Sequence, residues 1–273
     1  MEQKKYVISP SGLSYLSKIK EIFEYRELLW ILAWRDFKVK YAQSLLGFAW
    51  AIIDPVFTLI ILTFIFGTVA KVDTSGIPHP IYTLAGLCGW VFFSSLANDA
   101  GRSILGAQNM IKKIYFPRLI LPLSKIFTSL IDLCIVLICM IILMFIYQYA
   151  PGSNILWLPF FIMIAILAGI VVGIWISALT IRYRDFKHIL PLGLRLGMYA
   201  TPIAYPASAV PDKYQFYFFL NPMAGVVEGV RWSLVGTGDF PIYIFGSLSL
   251  LLILLIWGLI YFNQMEKVMA DIV

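Results

Sequence analysis

Residues 119–149 read LILPLSKIFTSLIDLCIVLICMIILMFIYQY, a long apolar stretch that follows the basic, proline-broken segment KKIYFPRLILPL at 112–123. A membrane-spanning helix needs about 20 apolar residues, so this stretch is long enough to cross a bilayer with tilt. Five further apolar stretches recur along the chain, at about 48–70, 80–98, 156–180, 189–206 and 241–262. Together they predict an all-α integral membrane protein with six transmembrane helices.

The overall composition supports this class. The 273 residues are 60% hydrophobic and 13% charged, whereas a soluble domain has about 25% charged residues. The charged first 46 residues predict no secretory signal peptide. Cys88, Cys134 and Cys139 lie in apolar stretches and are predicted to be small core residues. His79 and His188 are far apart, which predicts no metal site.

The placement of basic residues predicts the topology. Seventeen of the 21 lysines and arginines fall in the N-terminal segment, alternate loops or the C-terminal end. Only Lys71, Lys213 and Arg231 fall in the opposite loops, and Arg195 lies within a predicted span. Positive charge favours the cytoplasmic side, so both termini are expected there. We divide the chain into a cytoplasmic N-terminus, 1–47, and a six-span domain, 48–273.

Residues 24–46 predict a helix lying in the inner membrane interface. Trp30 and Trp34 suit the headgroup layer, and Asp36 precedes Lys40 by four residues, the favoured order for a helical ion pair. Apolar residues recur there at roughly helical spacing: Leu28, Ile31, Leu32, Val39 and Leu46. The alternative is a solvated helix.

The outer segment 205–240 is too long for a simple loop and too polar for another span. It predicts two short re-entrant helices, with Glu228 and Arg231 three residues apart. Irregular backbone at membrane depth is tolerated only against protein or water, so such a pair implies a lined cavity. A surface hairpin is the alternative.

The two inner loops predict docking surfaces for a soluble partner. Residues 106–115 predict a short amphipathic helix that ends before Pro117, because the residue before proline disfavours the helical conformation. Its apolar face is Met110, Ile111, Ile114 and Tyr115, and its basic face Lys112 and Lys113. The second loop, 181–190, is also basic and carries two aromatic residues. The alternative is that these charges only set topology.

Several motifs are absent from the sequence. It contains no GxxxxGK[ST], GxSxG, HExxH or CxxC, so it predicts no nucleotide-binding loop or catalytic motif of these kinds. Charges within the predicted spans are few: Asp54, Asp132 and Arg195. So few charges are unusual for an ion-coupled carrier, and two isolated histidines supply no catalytic cluster for a membrane transferase. Energy for transport would come from another subunit. An ion-coupled carrier or an autonomous channel is the alternative.

Four stretches carry a resemblance to a known family. They are WRDFKVKYAQSLLGFAWAIIDP (34–55), NMIKKIYFPRLILPLS (109–124), YRD (183–185) and NPM (221–223). In this order they resemble the membrane subunit of polysaccharide-exporting ABC transporters, the type 2 export permeases for O-antigen, capsule and teichoic acid. An exporter of a drug or small lipid is the alternative within the same class.

The resemblance implies partners and a location. Two copies would pair in the bacterial cytoplasmic (inner) membrane, among membrane lipids, with two ATP-binding cassette subunits below. ATP and Mg would bind those subunits, and this chain would hold no cofactor. The cargo would be a polysaccharide or polyol phosphate polymer on a lipid diphosphate, as in lipopolysaccharide biosynthesis, and no nucleic acid partner is implied.

The resemblance also implies roles for particular residues. Segment 106–118 would be the main coupling helix and 24–46 the gate helix. Candidates for coupling to the ATPase are Met110, Ile111, Lys112, Lys113, Ile114, Tyr115, Arg118, Arg182, Arg184 and Asp185. Candidates for the interfacial gate are Trp34, Arg35, Lys38 and Tyr41.

Aromatic residues in the spans suggest a path for a glycan, because their faces stack on apolar sugar rings. The candidates are Trp50, Phe57, Phe64, Trp90 and Tyr199. Lipid-facing or helix-packing roles are the alternative for each. Arg195 is a candidate for the carrier diphosphate, since a guanidinium matches phosphate geometry. Alternatively, Arg195 pairs with Asp132 inside the bundle.

Overall fold

The computed structural model describes residues 15–42, 47–236 and 240–272, which form eleven α-helices and no strand in these ranges. The helices are α1 Tyr15–Glu24, α2 Arg26–Ala42, α3 Trp50–Leu62, α4 His79–Gly106, α5 Gln108–Ile111, α6 Ile120–Ile146, α7 Leu158–Arg182, α8 Phe186–Ala200, α9 Asp212–Phe219, α10 Pro222–Val235 and α11 Ile244–Ile272. A 3₁₀ turn, Gly47–Ala49, precedes α3, and a π-helical stretch, Thr63–Val69, continues it.

Within the described residues, five helical segments are long and apolar enough to cross a membrane. They are Gly47–Val69, His79–Gly106, Ile120–Ile146, Ser153–Arg182 and Ile244–Lys267. These agree with five of the six predicted spans, so the chain is an all-helical membrane protein.

The predicted span 189–206 differs in the structure. Helix α8 has 15 residues, about 22 Å at 1.5 Å per residue, which is shorter than a hydrocarbon core of about 30 Å. It ends because Thr201 precedes Pro202, and Thr201 is extended with ψ 142°. The chain from 201 to 206 is not helical.

The core of the molecule is formed by α4, α7 and α10, with α6 against α4. Small residues allow these helices to approach closely, as is common between membrane helices. A Cβ at Gly173 would overlap Ala100 of α4, and a Cβ at Gly229 would overlap the ring of Phe161. The four helices therefore form a tightly packed unit.

The segment that is predicted to lie outside contains two short helices, α9 and α10. Asn221 caps α10, because its side chain accepts a hydrogen bond from the Met223 amide at 3.1 Å. Gly236 ends α10 with φ 77°. Most of α10 is buried against α4 and α7, so this helix is part of the core, whereas α9 exposes Tyr214 and Tyr217.

The loop between α4 and α6, residues 107–119, is called the inner loop after its predicted side of the membrane. It differs from the helix predicted over 106–115. Helix α4 continues to Gly106, and α5 covers only Gln108–Ile111. Ile111 and Phe116 are both buried, and the chain between them is not helical, which lets Phe116 turn inward. Ile114 and Tyr115 are therefore on an exposed turn, 51% and 68% accessible.

Helix α2 buries only part of the predicted apolar face. Leu32 of that face is buried, whereas Ile31 and Val39 are exposed. Ala33 and Tyr41, which were not part of it, are also buried. The reason is tertiary, because α2 packs along one side of α6. Leu28 does pack against the core. Leu46 lies outside the described residues.

The three cysteines differ in their burial. Cys88 is buried and Cys139 is half-buried, but Cys134 is exposed. The prediction of a core position is therefore wrong for Cys134, which lies on the outward side of α6. All three are free thiols.

Candidate functional site

A charged network attaches α2 to α4 and α6. The Lys40 Nζ lies 2.6 Å from Asp132 Oδ2 and 3.4 Å from Asp99 Oδ2. The Ser95 hydroxyl donates to Asp132 Oδ2 at 2.6 Å, and the Tyr41 hydroxyl donates to Asp132 Oδ1. The carboxylate of Asp132 thus receives three donors. We call Lys40, Tyr41, Ser95, Asp99 and Asp132 the α2 clamp.

A second ion pair lies one turn earlier on α2. Asp36 pairs with Lys125 of α6 and with its neighbour Arg35, the latter at 2.8 Å. The predicted pair between Asp36 and Lys40 is therefore wrong. The side chains of Asp36 and Lys125 are both only 15% exposed, so each compensates for the water that the other has lost.

The clamp stabilises the protonated forms of Lys40 and Tyr41. Burial by itself would lower the pKa of Lys40, but Asp99 and Asp132 raise it more, so this pKa lies above its ordinary value. Burial and the hydrogen bond to Asp132 raise the pKa of the Tyr41 hydroxyl. Lys40 is therefore charged and Tyr41 neutral throughout the physiological range.

A cavity of about 640 Å³ adjoins the α2 clamp and lies between α3, α4 and α8. Its polar lining comprises Asp54, Thr58, Ser94, Ser95, Asn98 and Asp99, together with the clamp residues Lys40, Tyr41 and Asp132. Trp50 and Trp90 supply aromatic surface. Hydroxyl, amide and carboxylate groups beside indole rings suit a ligand that has many hydroxyls and apolar ring faces.

Only two of the five aromatic candidates for the glycan path line the cavity. Trp50 and Trp90 line the cavity, and Trp90 is buried against α8, where its ring closely approaches Gly197. Phe57, Phe64 and Tyr199 are exposed and do not line the cavity. They lie on outward faces of α3 and its π-helical continuation and of α8.

Arg195 is also exposed on α8. The alternative pairing of Arg195 with Asp132 does not occur, because Asp132 binds Lys40, Tyr41 and Ser95. Sequence reasoning singled out Asp132 but did not find its partners Lys40, Tyr41 and Ser95. These partners lie on α2 and α4, far from Asp132 in the chain, and left no local signal.

The candidate coupling residues occupy one end of the bundle. The Arg118 Nη1 donates to the Glu266 carbonyl at 3.3 Å, and the Tyr115 hydroxyl donates to Glu21 at 3.4 Å. Burial, and then the charge of Glu21, raises the pKa of Tyr115. The other candidates are Met110 and Ile111, which are half-buried and buried, and Lys112, Lys113, Ile114, Arg182, Arg184 and Asp185, which are exposed.

The gate candidates are split between two faces of α2. Trp34, Arg35 and Lys38 are exposed, and the Lys38 ammonium lies 5.5 Å from the Trp34 ring centre. Tyr41 alone among them is buried and belongs to the α2 clamp.

A second buried charge lies near the opposite end of the bundle. Arg231 is 3% exposed and forms an ion pair with Glu228 at 3.1 Å. Its guanidinium also donates to the Pro202 and Ile203 carbonyls and to the Tyr82 hydroxyl. Arg231 thereby holds the non-helical chain after α8 against α4 and α10.

The sequence matches the family model of the ABC-2 type transporter over residues 27–235, about three quarters of the chain. This range includes the α2 clamp, the cavity and Arg231. The chain therefore belongs to the ABC-2 type transporter family and is a transporter membrane protein.

Individual relatives extend this similarity. The chain is 28% identical to an O-antigen export system permease protein RfbA of Klebsiella pneumoniae, covering 90% of this chain and 95% of that protein. It is 28% identical to RfbA of Myxococcus xanthus over 78% of this chain and 82% of that protein. It is 26% identical to the polysialic acid transport protein KpsM of Escherichia coli, covering 86% and 92%.

Proposed function

We propose that this chain is the membrane-spanning subunit of an ATP-driven exporter that moves a lipid-linked glycan across the bacterial cytoplasmic membrane. The observation that carries the proposal is the polar and aromatic cavity between α3, α4 and α8. A sugar chain needs hydrogen-bonding groups and flat apolar surfaces, and this cavity supplies both within an otherwise apolar bundle. The relatives named for O-antigen and polysialic acid transport support the same cargo class.

A second copy of the chain would complete the path. In the most apolar stretch of Gly47–Val69 only 11% is buried within the chain. The outward faces of α3 and α8 carry large exposed residues beside the cavity: Ile52, Phe57, Ile60, Ile61, Ile189, Leu192, Leu196 and Tyr199. We infer that two such faces meet around the glycan and that Arg195, on the same face of α8, meets the carrier diphosphate.

ATP and Mg would bind two separate ATP-binding cassette subunits at the cytoplasmic end, with both termini of this chain on that side. Ile114 and Tyr115 project from the inner loop there, which suits insertion into a cleft of a soluble partner. Movement of this loop would reach α1 through Tyr115 and α11 through Arg118.

The α2 clamp would act as the gate in this mechanism. It closes the cavity floor by joining α2 to α4 and α6 through Asp132. Opening would separate Lys40 and Tyr41 from Asp132 while the cargo's hydroxyls replace part of the lost hydrogen bonding. A gate that uses charges can reopen and close at low net cost, since partly buried ion pairs contribute little net stability.

The glycan proposal is tested by deleting the gene in its own host and extracting surface and intracellular polysaccharide. We expect surface polymer to disappear and lipid-linked polymer to accumulate inside, with both restored by the wild-type chain. Unchanged surface polymer in the deletion strain would contradict the glycan assignment and favour a small lipid or drug as cargo.

The ATPase proposal is tested by purification of the chain in mild detergent with identification of co-purifying proteins. A stoichiometric ATPase is expected with the wild type and is expected to be lost in the Ile114→Asp/Tyr115→Asp variant. Tyr214→Asp, at an exposed position on α9, is the matched control and should retain it. Retention by both variants would place the docking surface elsewhere.

A further inference from the structure

A groove and a small polar cavity adjoin each other at the end of the bundle that carries the inner loop. The groove, about 390 Å³, runs between α6, α7 and α11. The polar cavity, about 190 Å³, lies between α1, the inner loop and α11. Ile22 and Leu119 line both, so the two form one continuous site with an apolar part and a charged part.

The apolar part has the length of one membrane leaflet. Along α7 it extends from Met163 to Ile174, about 16 Å at 1.5 Å per residue. Half of a hydrocarbon core of about 30 Å is about 15 Å. Its lining is aliphatic except at Asn263, where α11 approaches the charged part. This length suits one acyl chain of a lipid.

The charged part carries equal numbers of both signs. It is lined by Glu21, Arg118, Glu266 and Lys267. Tyr115 also lines it, and its hydroxyl donates to Glu21 at 3.4 Å. Arg118 is fixed by Glu266, through its guanidinium and through its backbone amide, which donates to Glu266 Oε1 at 3.3 Å. Two carboxylates, a guanidinium and an ammonium complement a headgroup that has one phosphate and one ammonium.

From this continuity and charge balance we propose a binding site for a zwitterionic glycerophospholipid of the phosphatidylethanolamine type. One acyl chain lies along Leu123, Leu167 and Leu259. The phosphate meets Arg118 and Lys267, and the ammonium meets Glu21 and Glu266. This site is separate from the glycan cavity and stands whatever the exported cargo is.

The lipid would have a structural consequence for the inner loop. Tyr115 and Arg118 of this loop line the headgroup cavity together with α1 and α11. A bound headgroup therefore bridges the loop to both ends of the chain. We expect phospholipid removal to loosen the loop before it affects the core.

The test uses the full-length protein, delipidated in detergent, with native mass spectrometry as the readout. The probes are palmitoyl-oleoyl phosphatidylethanolamine, the matching phosphatidylglycerol, which lacks the ammonium, and the matching diacylglycerol, which lacks the whole headgroup. We expect one phosphatidylethanolamine per chain and weaker retention of the other two. Equal retention of all three, or preferential retention of phosphatidylglycerol or diacylglycerol, would overturn the proposal.

Paired variants assign the two parts of the site. Glu21→Gln/Lys267→Gln should weaken phosphatidylethanolamine binding about three- to fivefold, as expected for partly exposed ion pairs. Lys20→Gln/Glu24→Gln, at neighbouring exposed positions outside the cavity, should not change it. Leu259→Trp should fill the groove and abolish binding, whereas Ile256→Trp, exposed on another face of α11, should not.

Each result has a defined meaning. Normal binding by both Leu259→Trp and Glu21→Gln/Lys267→Gln would contradict this location. If Leu259→Trp does not elute as a monodisperse protein, the charge variant decides, because its two positions lie at the surface.

Discussion

The helices around α4 are packed inside the molecule, whereas the helices around α3 leave most of their apolar surface uncovered. In the most apolar stretch of α4, 78% is buried within the chain, against 11% for the segment containing α3. The first group reaches close packing through small residues facing large ones, as at Gly229 and Phe161. The second group leaves apolar faces uncovered beside a polar cavity. Stability is therefore concentrated in α4, α7 and α10, and the surfaces available for transport lie on α2, α3 and α8.

The largest effect is expected from adding a methyl group to the packed region. In Gly229→Ala the new Cβ would overlap the fully buried ring of Phe161. That ring packs against Trp232 and Phe240 and has little room to move. We expect a loss of about 3 kcal/mol, the upper part of the range for overpacking, measured by unfolding of the purified protein in detergent.

The same substitution in the other region is the control. No atom lies within 4 Å of a Cβ at Gly193 of α8, so Gly193→Ala should be neutral or stabilise by up to about 1 kcal/mol through helix propensity. Equal losses in both variants would remove the distinction between the two regions.

The next effect concerns the α2 clamp. Asp132→Ala leaves Lys40, Tyr41 and Ser95 without their shared acceptor, although Lys40 keeps Asp99 at 3.4 Å. Loss of hydrogen bonds to a charged group costs about 2 kcal/mol, so amide hydrogen exchange over Arg26–Ala42 should accelerate about 30-fold. The amides of α4 and α7 should be little affected.

Asp54→Ala is the matched control for the clamp. Its carboxylate lines the same cavity, but it makes no ion pair among the residues the structure describes. Exchange in α2 should remain at the wild-type rate. Acceleration of α2 by both substitutions would mean that the cavity charge, and not the clamp, holds this helix.

A smaller effect follows from the titration of the clamp. The pKa values of Lys40 and Tyr41 are raised from 10.5 and 10.0, so their stabilisation is fully present below about pH 10 and is lost as pH rises through the folded-state values. The difference in Tm between wild type and Lys40→Gln should be constant from about pH 7 to 10 and shrink at higher pH. A difference that already shrinks between about pH 7 and 10 would contradict this assignment.

The smallest effect on the fold is expected at the cavity wall. Trp50 and Phe57 are both exposed on α3, but only Trp50 lines the cavity. Substitution of either by alanine should change the free energy of unfolding by less than about 0.5 kcal/mol. Glycan export should fall about fivefold or more in Trp50→Ala, if stacking contributes about 1 kcal/mol or more, as it does for nucleic-acid bases.

Phe57→Ala should export at close to the wild-type rate if its face contacts only the second copy or lipid. Export assays in the deletion strain, normalised to the amount of chain in the membrane, compare the two variants. Equal loss in both would indicate that the whole outward face of α3, and not only the cavity wall, contacts the glycan.

Much of the helix layout was predictable from the sequence. Five of the six predicted spans correspond to long helices, and the helix-like stretch that carries Glu228 and Arg231 is helical, as α10. Two predictions failed where proline and tertiary packing acted together. Pro202 shortens α8, and the buried side chain of Phe116 draws the inner loop out of a helix.

Partners between helices were not predictable in the same way. The pairing of Asp36 with Lys40 followed a helical rule, yet Asp36 binds Lys125 and Lys40 binds Asp132. Helical spacing describes only one helix at a time. Charges on one helix can pair with charges on another helix that lies close in three dimensions. Here Asp36 and Lys40 of α2 both have partners on α6.

The sequence by itself determined that this is a helical membrane protein, because apolar stretches of this length cannot remain in water and must satisfy their backbone as helices in lipid. Its motifs also carried the family resemblance, which the ABC-2 match supports. Only the tertiary structure decided which faces meet, because packing depends on shape and charge contributed by residues far apart in the chain. It buried α10 in the core, joined Lys40 to Asp132 across 92 residues, and left the cavity beside an uncovered face of α3.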